Sequence, residues 1–242
     1  MDIRTDLALP FGRVHAGLVE SLVDDGGLRL LRAARGTILT HEGDAADHAL
    51  LLVDGWLALS KTLATGDRQI IDVMLPGDFA MVGTRLVAVA ACSVEALSDI
   101  EYAVIRPAQA NGPGDSRARL REAMAASILV TQARTSELLL RLGRSSAASR
   151  IAYALLELHM RLEALGRTRG ATFDFPMTQE KLGEFTGLTN VHVCRTLRRF
   201  ERAGLIAHPD AHSIALTDMT ALCDIADIDL EMLRTQILLS RV

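Results

Sequence analysis

The chain has 242 residues, 49% of them hydrophobic and 4% aromatic, and a formal net charge of −4. That length supports one large or two modest domains with real cores, while the slight acidity argues against indiscriminate nucleic-acid binding. Three scattered cysteines (Cys92, Cys194, Cys223) make neither a disulfide framework nor a CxxC metal site, and no apolar run approaches the roughly 20 residues of a membrane span.

The N-terminus, MDIRTDLALPFGRVHAG, lacks the basic start and apolar stretch of a secretory signal. A soluble cytoplasmic protein without a cofactor is expected. From residue 28 to about 107, glycines recur at 36, 43, 55, 66, 77 and 83 between short apolar runs such as Ala49–Val53 and Ile70–Met74. Turn signals stand at His41–Asp44, Val53–Gly55, Thr65–Asp67 and Leu75–Phe79. Short strands at this spacing predict an antiparallel barrel, roll or sandwich over residues 1–110. Asn111–Asp115 closes the β region and offers Asp115 or Ser116 as a helix cap. The breaker-free stretch Ser116–Leu142 predicts a long helix, with Leu120, Met124, Ser127, Thr131, Thr135, Leu138 and Leu142 as a weak coiled-coil-like seam. A long helix with one narrow apolar stripe fits a two-fold dimer, so residues 111–143 are assigned as a dimerisation segment; packing against the β domain is the alternative for this helix, and both can hold at different positions. A second helix is expected over Arg144–Leu165, with a glycine-containing connection, Gly166–Phe175, after it.

The charge is unevenly placed. Residues 1–110 carry 9 basic and 15 acidic side chains, and residues 111–170 carry 10 basic and 5 acidic ones. Met177–Ile206, MTQEKLGEFTGLTNVHVCRTLRRFERAGLI, reads as two short helices about a glycine turn. Thr178 caps the first, Gly187 breaks the pattern, Thr189 caps the second, and Gly204 stops it. At 100° per residue, Val193, Leu197 and Phe200 share one face of the second helix. Asn190, Val191, Cys194, Arg195, Arg198 and Arg202 share the other. A helix that enters the DNA major groove needs this division: guanidinium forks for guanine edges and phosphates, small residues for close approach. Leu205–Leu216 reads as two strands around the turn Pro209–His212, a wing whose His208, His212 and Ser213 are candidate phosphate contacts. The expected DNA-contacting set is Thr178, Gln179, Thr189, Asn190, Val191, His192, Cys194, Arg195, Arg198, Arg199 and His212. Beyond the wing, Ile225, Ile228, Leu230, Leu233, Ile237 and Leu238 predict an amphipathic helix within Asp224–Val242.

The resulting fold class is α+β: β-roll, long helix, then a C-terminal winged helix-turn-helix domain over 144–242. This order, with HEGDAADHALLLVDGWLAL (41–59), LPGDF (75–79), LGRSSAASRIAYALLEL (142–158) and the helix-turn-helix itself, resembles the Crp/Fnr family of bacterial transcription regulators over nearly the whole chain. The resemblance implies a homodimer on a partly palindromic operator, RNA polymerase as a further partner, and a small-molecule effector site in the roll. It assigns Arg195 to a guanine. The family's usual glutamate, an acceptor for a cytosine amine, is replaced by Val191, which is suited to a thymine methyl, and Cys194 takes the Ser/Gly position. In cyclic-nucleotide-binding members LPGDF is followed by Gly-Glu and then Arg-Ser. Here Met81–Val82 and Ala90–Ala91 stand at those places, so cyclic AMP binding in the family manner is not expected; Arg85 is read as an exposed loop residue. Absence of any cysteine before Cys92 excludes the iron–sulfur sensors of the family, and His41 and His48 read as turn histidines rather than haem ligands. Cys194 has two readings, a small residue for close approach or an oxidisable thiol on the DNA face.

Three function classes remain in view. A sequence-specific DNA-binding regulator leads. A ligand-binding or protein-interaction module with a vestigial DNA-binding domain is the alternative, favoured only by Val191 and Cys194. An enzyme is not expected, for there is no P-loop, G-x-S-x-G, HExxH or paired-carboxylate signature.

Overall fold

The computed structural model describes residues 28–81, 83, 89–106, 110 and 114–238. The expectations for the N-terminus, Val82 and Arg85 lie outside these residues. The chain divides into two compact units at Leu129/Val130, inside the long helix.

The first unit is an antiparallel roll of two four-stranded sheets. Strands β1 (Leu30–Ala33), β8 (Ile100–Ile105), β3 (Ala49–Asp54) and β6 (Phe79–Met81) form one, in that order. The other runs β2 (Ile38–Thr40), β7 (Ser93–Ala96), β4 (Leu57–Thr62), β5 (Arg68–Met74). β3 shows why its sequence is a continuous apolar run. Leu50 and Leu52 face the roll interior with Leu57, Leu59, Met74 and Val94, while Ala49 and Leu51 face an outer cluster with Phe79, Ala103, Ile105, Leu120 and Ala123. A strand buried on both faces loses the alternation of a half-exposed one. The β3–β4 turn requires glycine: Gly55 has φ +87°, and a Cβ there would stand 2.3 Å from the Asp99 carbonyl oxygen. In the LPGDF turn the Leu75 N–H donates to the Asp78 carboxylate at 2.8 Å, and the Gly77 N–H donates to the Leu52 carbonyl at 2.8 Å. That segment is thereby stitched to β3.

Helix α1 (Asp115–Arg144) spans 30 residues, about 45 Å. Its predicted seam is shared with the chain's own cores near its two ends. Leu120 is fully buried and Met124 packs on the outer cluster of the roll, while Leu138 is buried in the second unit. The large apolar side chains that α1 leaves to solvent are instead Ile128, Leu129, Leu139 and Leu140, 50–70% exposed. The chain's own cores take Leu120 and Leu138 of the predicted face, while Ser127 and Thr131 between them are half-buried and Thr135 is exposed.

In the second unit α2 (Ala147–Ala164) is capped by Ser146, whose hydroxyl accepts from the Ser149 N–H. Arg144 therefore closes α1 rather than opening α2. Nearly all of α2 is buried, including Glu157, His159 and Arg161. The predicted connection after it is a hairpin, β9 (Thr168–Arg169) and β10 (Thr172–Asp174), turned by Gly170 at φ +63°. It joins β12 (Ser213–Leu216) and β11 (Ile206–Ala207) in one sheet ordered β11-β12-β10-β9. The C-terminal amphipathic segment is two helices, α5 (Met219–Ala226) and α6 (Leu230–Ile237), not one. Asp227 in the left-handed region ends the first, and the Asp229 carboxylate caps the second by accepting from Glu231 and Met232. Its apolar face is as expected: Leu233 and Ile237 are buried, and Arg234 pairs with Glu163 of α2 at 2.6 Å. Arg141, at the end of α1, donates to the Ala226 carbonyl and to Glu137, and its guanidinium stands 4.9 Å from the Tyr153 ring centre. No described helix is long and apolar enough to cross a membrane.

Candidate nucleic-acid interface

Two short helices carry the site: α3 (Gln179–Thr186) and α4 (Asn190–Arg202). Thr178 caps α3 by accepting from the Lys181 N–H at 3.1 Å. Gly187, at φ +64°, ψ +39°, is the left-handed C-cap, and its N–H returns to the Gly183 carbonyl. The Leu188 N–H bonds the same carbonyl at 3.0 Å. Thr189 then caps α4 by accepting from the His192 N–H, and its hydroxyl also lies 2.9 Å from His192 Nδ1. These short-range bonds turn the chain in three residues and leave α4 beginning at a set angle.

Two residues the sequence did not single out hold that angle. Gly183 is buried in α3, and a Cβ there would sit 2.6 Å from the Leu188 carbonyl oxygen, so the absence of a side chain lets the turn fold back on the helix. Arg150 of α2 donates through Nε to the Ser145 carbonyl at 3.0 Å and through Nη1 to the Thr186 and Gly187 carbonyls at 3.4 Å. It satisfies carbonyls that the end of α3 would otherwise leave without partners. Its sequence signal is the arginine closing LGRSSAASR, which the family resemblance covers without marking it as a brace.

On α4, Val193, Leu197 and Phe200 are buried and Asn190, Val191, His192, Arg195, Arg198, Arg199 and Arg202 are exposed. Cys194 is half-buried and is a free thiol. Gln179, from the first turn of α3, joins Asn190, Val191, Cys194, Arg195, Arg198, Arg199 and Arg202 around an open concavity of about 550 Å³. Among the described residues none of these four arginine side chains has a hydrogen bond or ion pair. The helix's only carboxylate, Glu201, is turned instead to His208 of the wing, Oε1 to Nε2 3.3 Å. That leaves one face of α4 purely cationic toward its C-terminal half, which also suits the helix dipole.

The wing tip is held by local bonds. Asp210 accepts from the His212 N–H at 2.8 Å, and the Phe175 N–H donates to the His212 carbonyl at 2.7 Å. Hydrogen bonds from the His212 N–H and from Ser213 hold the Asp210 carboxyl below its usual range. His208 Nδ1 faces the Ser213 carbonyl at 3.3 Å. His212 is exposed, but Ser213 is 3% exposed and is removed from the phosphate candidates.

In the roll, Ala90 is 2% exposed inside the apolar interior. Its N–H donates to Asp44 and its carbonyl accepts from Gly43. Cys92 is buried beside it, and desolvation raises its thiol pKa. His41 is exposed, and burial pulls His48 below the usual histidine range. No cluster of three or more His, Cys, Asp or Glu able to hold a metal occurs among the described residues.

Residues 30–111 match the cyclic nucleotide-binding domain, and residues 149–225 match the Crp-like helix-turn-helix domain. The transcriptional activator protein FnrL of Cereibacter sphaeroides is 28% identical over 80% of this chain and 79% of its own. The transcriptional activatory protein AadR of Rhodopseudomonas palustris is 30% identical over 69% of each. The solved structure of FixK2 from Bradyrhizobium japonicum superposes with a TM-score of 0.72 at 24% identity, covering 84% of this chain and 98% of that one. Such relatives are transcription regulators, not enzymes.

Proposed function

The chain belongs to the Crp/Fnr family of transcription regulators, and we propose that it acts as a homodimer, reading a partly palindromic operator with α4 of each protomer. The observation that carries this reading is the face of α4: four guanidiniums without internal partners among the described residues, on a helix anchored from behind by Val193, Leu197 and Phe200. Arg195 takes a guanine edge, while Arg198, Arg199 and Arg202 serve neighbouring phosphates. The capped N-termini of α3 and α4, at Thr178–Gln179 and Thr189–Asn190, together with His192 and His212, complete the backbone contacts. The dimer forms along α1 through Ile128, Leu129, Leu139 and Leu140. Residues 128 and 139 stand about three turns apart, so they share a helix face. Two-fold symmetry then presents the two copies of α4 to half-sites about 34 Å apart. Relatives named as activators support RNA polymerase as a further partner.

The roll does not take cyclic AMP in this reading. Ala90 stands where the resemblance calls for an arginine, inside an apolar interior, and a phosphate placed there would be a buried anion without a counter-charge. Its effector is a different small molecule, or none.

Selection of bound duplexes from a random pool, followed by titration against salt, tests the proposal. A palindromic consensus is expected, with a steep fall of affinity with salt. Arg198→Ala and Arg202→Ala each remove one phosphate partner and should each lower the salt slope by about 1. Arg195→Ala should abolish preference at one guanine per half-site. Salt-independent or absent binding would instead support an interaction module. Leu139→Arg with Leu140→Glu should give a monomer in sedimentation; a dimer surviving both changes refutes the α1 interface. Calorimetric titration showing micromolar cyclic AMP binding would refute the effector reading.

A further inference from the structure

We infer that Val191 determines operator specificity by packing on a thymine C5-methyl group in each half-site. This rests on the DNA-binding reading above and adds a base to it. Val191 is 65% exposed, although Val193, Leu197 and Phe200 of the same helix are buried. It contributes nothing to the core, and it is the one large apolar side chain on the cationic face. It lies in the first turn of α4, the part of a recognition helix that meets base edges. Only one apolar group is presented on the major-groove edge of any base pair, the thymine methyl. Against a cytosine amine or a purine N7, an isopropyl group displaces water and returns no hydrogen bond, so those bases are disfavoured.

The neighbours leave the path open and set the register. Val191, Cys194, Arg195 and Arg198 follow at i, i+3, i+4 and i+7, one stripe of the helix around the same concavity. Cys194, one turn on, is small and half-buried, so it adds no bulk beside Val191. His192 is held toward Thr189 by the 2.9 Å contact of its Nδ1. Val191 precedes Arg195 by one turn, roughly 6 Å of axial rise. With base steps of about 3.4 Å, the thymine lies within about two base pairs of the guanine taken by Arg195.

The test removes one methyl group from DNA. Thymines of the selected duplex are replaced one at a time, in both half-sites, by deoxyuridine, and guanines by 7-deazaguanine. Affinity is measured for the full chain, for Val191→Ala and for Arg195→Ala. One thymine should be methyl-sensitive, with a loss of about fourfold per half-site. Val191→Ala should be indifferent to that same methyl while keeping its 7-deazaguanine sensitivity. Helicity by circular dichroism should be unchanged, since the residue is exposed and alanine favours helix. The inference is overturned if no thymine is methyl-sensitive, or if Val191→Ala remains as sensitive as the parent, with DNA binding otherwise intact. Failure to enrich any salt-sensitive duplex overturns the DNA-binding reading and this one with it.

Discussion

Replacing Gly183 by alanine sets two effects of opposite sign against each other. In a helix interior the change is worth about 1 kcal/mol in favour of the variant through propensity alone. Here the new Cβ would stand 2.6 Å from the Leu188 carbonyl oxygen and 3.6 Å from Val193 Cγ2. The first gap must open by about 0.8 Å to reach ordinary carbon–oxygen contact. Backbone cannot rotate out of the way as a side chain can, and Leu188 is also tied to Gly183 through its N–H at 3.0 Å. Overpacking costs about 1–3 kcal/mol, and weakening that hydrogen bond about 1 kcal/mol more. The expected net result is a loss of about 1–3 kcal/mol, with α4 displaced and DNA affinity reduced. Urea unfolding followed by far-ultraviolet circular dichroism measures the loss. The single tryptophan, Trp56, is buried in the roll, so its fluorescence serves as an internal reference for the unit that is not altered. A variant as stable as the parent, or more stable, with undiminished DNA binding, would show that propensity wins and that the close approach does not hold the turn.

Other outcomes follow from the buried polar groups and the wing. Tyr153 is 3% exposed, its hydroxyl has no hydrogen-bond partner among the described residues, and desolvation raises its pKa; Tyr153→Phe should therefore leave thermal stability unchanged or raised by up to ~1 kcal/mol. The Glu157–Arg161 pair is buried at 2.8 Å. Arg161→Met alone should cost about 3–5 kcal/mol in urea unfolding, whereas Glu157→Leu with Arg161→Met should recover most of it. Asp210 titrates below the ordinary carboxylate range in the folded wing. Its contribution to wing order is therefore present above the unfolded pKa and lost as pH falls through the depressed folded value. The protection of the His212 amide against exchange, taken relative to its intrinsic rate at each pH, should fall in that acidic window, and Asp210→Ala should show the low protection at neutral pH as well.

What the sequence disclosed and what it hid divide by range. Thr178, Gly187, Thr189 and Gly204 were legible because a cap or a turn needs a particular residue within three or four positions. The buried and exposed faces of α4 were legible for the same reason, through helical periodicity. Arg150 was not, because the carbonyls it meets lie 36 and 37 residues away. The β9–β10 hairpin was hidden by its size: two short strands around Gly170 look like a linker until β12 is placed beside them. For α1 the limit is of a third kind. Periodicity identifies an apolar face but not what covers it, and at Leu120 the chain's own roll does so. The break at Asp227 was local and could have been read, since Asp229 is a helix cap three residues after α5 ends.

The arginines of α4 face solvent rather than the chain's own carboxylates. An interface whose charges are already engaged internally must exchange one partner for another on docking, and so gains little from the exchange. Here no internal bond is surrendered: what leaves each guanidinium is water and a mobile anion, and what leaves the duplex is its own condensed cations. The free energy of encounter is therefore largely the entropy of small ions released to bulk. Its adjustable variable is the ionic strength of the surroundings, to which occupancy of DNA is coupled in the proposed reading.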